Sequence, residues 1–129
     1  MNPEIKKEWL RRLRSGEYDQ GTEYLRKEGV RKDSYCCLGV LCEMAEEAGV
    51  VKAQPNRWGG TVTYESVYDS FDFSHTELPD AVQAWAELDS ALPVVKGGYT
   101  VAQFNDGDED AGVEGKTFDE IADLIEESL

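Results

Sequence analysis

The sequence predicts an α+β fold: four helices around a small sheet or hairpin, in one domain spanning residues 1–129. Three observations lead there. Apolar residues recur at helical spacing in four separate stretches. One stretch, within residues 58–75, changes to the two-residue period of a strand. At 129 residues the chain is also long enough to bury a core without disulfide or metal staples.

The first helix spans 3–15. Asn2 suits the cap, Pro3 suits the first helical position and Glu4 complements the dipole. Ile5, Trp9 and Leu13 form one apolar stripe, Lys6, Lys7, Arg11, Arg12 and Arg14 crowd the rest, and Gly16 supplies the stop. Thr22 to Glu28 reads as a further helical turn. The central helix spans 34–48, with Ser34 as its cap. Apolar residues cover most of its circumference over the first two turns, the pattern of a buried helix. Gly39 costs about 1 kcal/mol there relative to alanine, which implies that something packs close to that backbone.

Trp58-Gly59-Gly60 reads as a turn, and Val62 and Tyr64 alternate with Thr61 and Thr63 as in a strand. Val67, Tyr68, Phe71 and Phe73 continue an aromatic stretch with no clean period. A third helix covers 79–88, with Val82, Trp85 and Leu88 on one face. Thr100 caps a short turn from Val101 to Phe104, and Asn105 to Gly115 is an acidic loop. Thr117-Phe118-Asp119-Glu120 is a capping box, and the amphipathic helix 118–128 follows it.

The formal net charge is −14 and unevenly placed. Residues 1–32 hold nine of the thirteen basic groups against six acids, whereas residues 33–129 hold four against 21. Such a chain is repelled by phosphate, so direct DNA binding is not expected. The acidic surface serves solubility or docks on a basic partner. No stretch approaches the roughly 20 apolar residues of a membrane span, and the N-terminus has no apolar block behind its lysines. Three clustered cysteines are a poor disulfide framework, so a reduced, cytoplasmic protein is expected.

Cys36 and Cys37 fall in the first turn of the central helix, where free N–H groups and the dipole lower a thiol pKa. The base would be His75, the single histidine. The alternative is that the cysteines pack in the core as small apolar residues. Asp106, Asp108 and Asp110 alternate as in a calcium loop, but Ala111 stands where that loop needs glycine and Thr117 where it needs a bidentate acid. No metal or other cofactor is expected. On the basic face, Arg11, Arg12, Arg14 and Arg26, with Trp9 or Tyr18 stacking, would contact a nucleotide; otherwise the helix is simply solvated.

Cys37-Leu38-Gly39-Val40-Leu41, followed by Ala48-Gly49-Val50, is similar to the nucleophile helix of NlpC/P60-type cysteine peptidases. That resemblance implies a hydrolase using Cys37 (or Cys36) with His75. It departs from the family after His75, where Thr76-Glu77-Leu78-Pro79 replaces the apolar strand. A wider resemblance joins the chain to a group of small phage and prophage proteins. Asn2 to Lys6, Trp9-Leu10, Leu13 to Tyr18, Gln20-Gly21 and the block Tyr35 to Glu43 carry it. So do Leu78-Pro79, Trp85, Leu88-Asp89, Asn105-Asp106 and Phe118 to Ile125. Only residues 51–76 lie outside it. The resemblance implies a phage accessory protein in the host bacterial cytoplasm and transfers no catalytic residue.

The leading expectation is therefore a non-enzymatic binder that counters a host defence or host factor, by sequestering a signalling nucleotide or occluding a host protein. The others are the cysteine hydrolase and a structural or assembly protein, which would form a homo-oligomer.

Overall fold

The computed structural model describes residues 1–56 and 59–129, and Trp58 of the expected turn lies outside them. Helix α1 (Pro3–Arg14) starts as its sequence requires. Asn2 Oδ1 accepts from the amides of Glu4 and Ile5 at 3.0 and 3.1 Å, and Trp9, Leu10 and Leu13 are buried. Three two-residue strands follow: β1 (Asp19–Gln20), β2 (Arg26–Lys27) and β3 (Ser34–Tyr35). β3 is central, parallel to β1 and antiparallel to β2. The helical turn expected over Thr22–Glu28 is not formed. The backbone of Leu25 bonds outward instead, its amide to the His75 carbonyl at 2.9 Å and its carbonyl to the Cys36 amide at 3.2 Å.

Helix α2 (Cys37–Glu47) is the buried spine, with Cys37 to Cys42, Met44 and Ala45 all buried. It begins later than expected because Ser34 pairs with Asp19 and Lys27 in the small sheet. Cys36 takes the cap position and supplies no side-chain cap bond. The cap comes from 68 residues away: Asn105 Oδ1 accepts from the Cys37 amide at 3.1 Å. Trp9 Nε1 donates to the Cys37 carbonyl at 2.9 Å and fixes α1 across α2.

The second sheet comprises β4 (Val51–Pro55), β5 (Val62–Ser66) and β6 (Phe73–Ser74), antiparallel in the order β4-β5-β6. It thus reaches further toward the N-terminus than the 58–75 hairpin expected, since β4 lies before the turn. Val62, Tyr64 and Ser66 face the core and alternate with half-buried residues. A bridge between Lys27 and Thr61 joins the two sheets.

Helix α3 (Asp80–Ala86) ends short of Leu88 because Glu87 turns left-handed, with φ of 56°. Its N-terminus is capped by Asp72, whose two oxygens accept from the amides of Asp80 and Ala81 at 2.7 and 2.9 Å. After a 3-10 turn at Lys96–Gly98 come α4 (Val101–Asp106) and α5 (Phe118–Ser128). Each opens with a full capping box, Thr100 with Gln103 and Thr117 with Glu120. One hydrophobic cluster draws on all five α-helices and the second sheet. No helix among the described residues is long and apolar enough to cross a membrane.

Candidate functional site

The thiols are part of the core. Cys37 and Cys42 have no exposed surface and Cys36 is 5% exposed. Burial pushes the Cys36 thiol up to about 11 and the Cys37 thiol well above its ordinary value. The helix N-terminus that would have activated Cys37 is occupied by Asn105, and Cys37 Sγ is 3.7 Å from the Val101 carbonyl oxygen. His75 stacks on Tyr24 with ring centroids 5.8 Å apart. Among the described residues no hydrogen bond joins His75 to a thiol. Buried, desolvated thiols are poor candidates for the expected pairing of Cys37 or Cys36 with His75.

The nucleotide contacts are corrected in part. Trp9 is wholly buried and offers no face to a ligand. Tyr18 packs edge-on against Tyr35 and accepts from Arg12. The four arginines are held by carboxylates: Arg11 by Glu8, Arg12 by Glu8 and Glu47, Arg14 by Asp123 and Glu126, and Arg26 by Asp33 and Glu43. Arg11 and Arg14 line a common groove with Lys6 and Lys7. Arg12 donates to Tyr18, which packs on Tyr35 beneath Arg26. Arg14 and Tyr18 line a second groove, and the wholly buried Trp9 lines neither.

In the acidic loop, Asp106 Oδ1 accepts from the Glu23 amide and from Asn105 Nδ2. Asp108 accepts from Gln103 Nε2 and from the Ala111 amide. Asp110 does not join them: among the described residues no group of three or more histidines, cysteines or acids could hold a metal ion. The loop is not wholly open either, because Asn105 is buried and ends inside α4.

What the structure displays outward is the connection between β5 and β6. Tyr68 is 80% exposed, Phe71 91% and Phe73 58%, with Val67 beside them. Isolated apolar side chains on a surface are ordinary, but three aromatics within six residues of one connection are not. The connection is held in shape. The Ser66 amide donates to the Asp72 carbonyl at 2.8 Å, Ser66 Oγ accepts from the Tyr68 amide and Asp69 Oδ1 accepts from the Phe71 amide at 2.9 Å. Asp72 then ties the segment to α3. The aromatics are therefore presented by a fixed backbone; Asp69, Asp72, Glu77 and Asp80 neighbour them in the chain, while Glu65 pairs with Lys52 at 3.2 Å. Sequence reasoning passed over them as candidates, although their lack of a strand or helix period was the available signal: no single core face accommodates positions 67, 68, 71 and 73.

Fold and surface together define a small α+β domain whose thiols are buried and whose exposed aromatics Tyr68, Phe71 and Phe73 sit on one hairpin. The chain belongs, over residues 1–129, to the family described as Domain of unknown function (DUF8296). No curated protein and no solved structure matches it.

Proposed function

We propose that this chain is a phage-encoded accessory protein that counters a host defence or host factor by occluding a host protein in the bacterial cytoplasm, without catalysis of its own. The observation that carries this reading is the ordered, exposed aromatic connection Tyr68–Phe73 within an acidic surface. Aromatic side chains bring large contact area at low entropy cost and dominate binding energy at protein interfaces. The surrounding carboxylates select a basic partner surface and speed encounter with it. The hairpin also lies in residues 51–76, the stretch outside the phage-protein resemblance. Binding residues are commonly carried on such connections between regular elements.

Of the two ligands expected, a host protein fits better than a nucleotide. Trp9 is buried, and the arginines that would bind phosphates already hold carboxylates.

The test uses the immobilised chain and a Tyr68→Ala/Phe71→Ala variant in lysate of a bacterial host at low and moderate salt. The expected result is one basic host protein captured by the wild type, released by salt and not captured by the variant. The purified pair should then re-form a stoichiometric complex that blocks that protein's activity. Equal capture by the variant, no capture at low salt, or a homo-oligomer built through the same hairpin overturns the proposal.

A further inference from the structure

A second surface, away from the hairpin, carries a different signature. Residues 33–129 contain only four basic side chains, and two of them, Lys96 and Lys116, line one groove of about 560 Å3. Tyr99, Phe104, Val113 and Leu124 supply its apolar lining. Tyr99 and Phe104 meet edge to face, centroids 6.0 Å apart, so the Tyr99 ring has a preset orientation.

Both walls are fixed by backbone bonds. On one side, Val94 and Thr100 form a bridge, and the Val95 amide donates to the Tyr99 carbonyl at 2.8 Å. This seats Lys96 on the 3-10 turn. On the other side, Asp108 and Val113 exchange amide bonds at 2.8 and 2.9 Å, and the Lys116 amide donates to the Phe104 carbonyl at 2.6 Å. Lys96 has no ion-pair partner among the described residues. Lys116 reaches Glu120 only at 4.0 Å. Glu114 is the one acid lining the groove, against two lysines.

We propose that this groove binds a small amphiphilic anion: a flat apolar or aromatic body laid on Tyr99, Phe104 and Leu124, carrying a carboxylate, sulfonate or phosphate held between Lys96 and Lys116. The volume falls within the roughly 300–1,000 Å3 typical of small-molecule sites. The division of labour is usual for such sites, with apolar area for affinity and a few charged groups for orientation. Lys96 and Lys116 come from separate segments and line the same groove, so an anion seated there can meet both.

The probes are 8-anilinonaphthalene-1-sulfonate and its uncharged counterpart N-phenyl-1-naphthylamine, followed by fluorescence and by amide shifts of the intact chain. The sulfonate is expected to saturate a single site and to move Gly97 and Gly112, which line the groove. The uncharged probe should bind about tenfold more weakly. Lys96→Glu and Lys116→Ala should each weaken the sulfonate about tenfold, equivalent to about 1.4 kcal/mol, while Lys96→Arg retains binding. Lys96 is exposed on its turn and Lys116 holds the fold through its backbone, so both variants report on the groove. Tyr68→Ala/Phe71→Ala should change nothing, which separates this site from the protein-docking hairpin. Equal affinity for both probes, insensitivity to Lys96→Glu, or shifts centred on the hairpin overturns the proposal.

Discussion

A Cβ atom placed on Gly39 would lie 1.7 Å from the carbonyl oxygen of Leu25 and 2.7 Å from its carbonyl carbon. The expected neighbour of this helical glycine is therefore the backbone of the loop before β2. That loop cannot retreat, because the same Leu25 carbonyl accepts from the Cys36 amide while the Leu25 amide donates to His75.

Gly39→Ala sets a favourable propensity of about 1 kcal/mol against a backbone clash. Overpacking of this kind costs about 1–3 kcal/mol and sometimes more, and here no flexible side chain can absorb it. We expect a net loss of about 2 kcal/mol and a Tm lower by about 8 °C, measured by thermal unfolding. A variant as stable as wild type would mean that Leu25 yields.

Much of this architecture is legible in the chain. Asn2, Thr100 and Thr117 are local caps, each read from a few neighbouring residues, and each forms. The helix start at Cys37 is not legible, because its cap, Asn105, arrives from α4. Asn105 also donates to the Gly21 carbonyl and accepts from Gln20 Nε2, while Gln20 Oε1 accepts from the Phe118 amide. This junction, centred on the buried Asn105, ties β1, α2, α4 and α5 by side-chain bonds between residues 68 to 98 positions apart, and no local pattern encodes it. The only trace was that Gln20-Gly21 and Asn105-Asp106 both belong to the phage-like resemblance. Site residues were missed for a similar reason. The Glu8 pairs with Arg11 and Arg12 follow from helical spacing and could have been read locally, whereas only the fold brings Glu47 to Arg12, Asp123 and Glu126 to Arg14, and Glu43 to Arg26.

The cysteines give a chemical prediction. A thiol with Cys36's pKa near 11 has almost no thiolate at pH 7, and Cys37 and Cys42 are raised further by complete burial. Iodoacetamide at pH 7 should leave all three unmodified in the native protein and alkylate all three in urea. Raising the pH to 9 should change this little, because access as well as ionisation limits the reaction. Rapid native labelling of Cys37 that His75→Ala abolishes would restore the hydrolase reading.

Acid should act first on the face of α1. Glu8 accepts from Arg11 at 2.7 and 2.8 Å and from Arg12 at 2.7 Å, and these two arginines hold its carboxyl down to about 2 from an ordinary value of 4.5. The folded chain thus releases this proton more readily than the unfolded chain. The stabilisation it brings is complete above about pH 5 and is lost as the pH falls through about 2. Solvent reaches Glu8 and Arg11, so screening keeps the worth of this charge small. Glu8→Gln should therefore lower the urea midpoint at pH 7 without changing the slope. The gap from wild type should narrow between pH 5 and pH 2 and close at the acid end. A gap of the same size from pH 5 down to pH 2 would show that Glu8 acts through packing of its side chain and not through its charge.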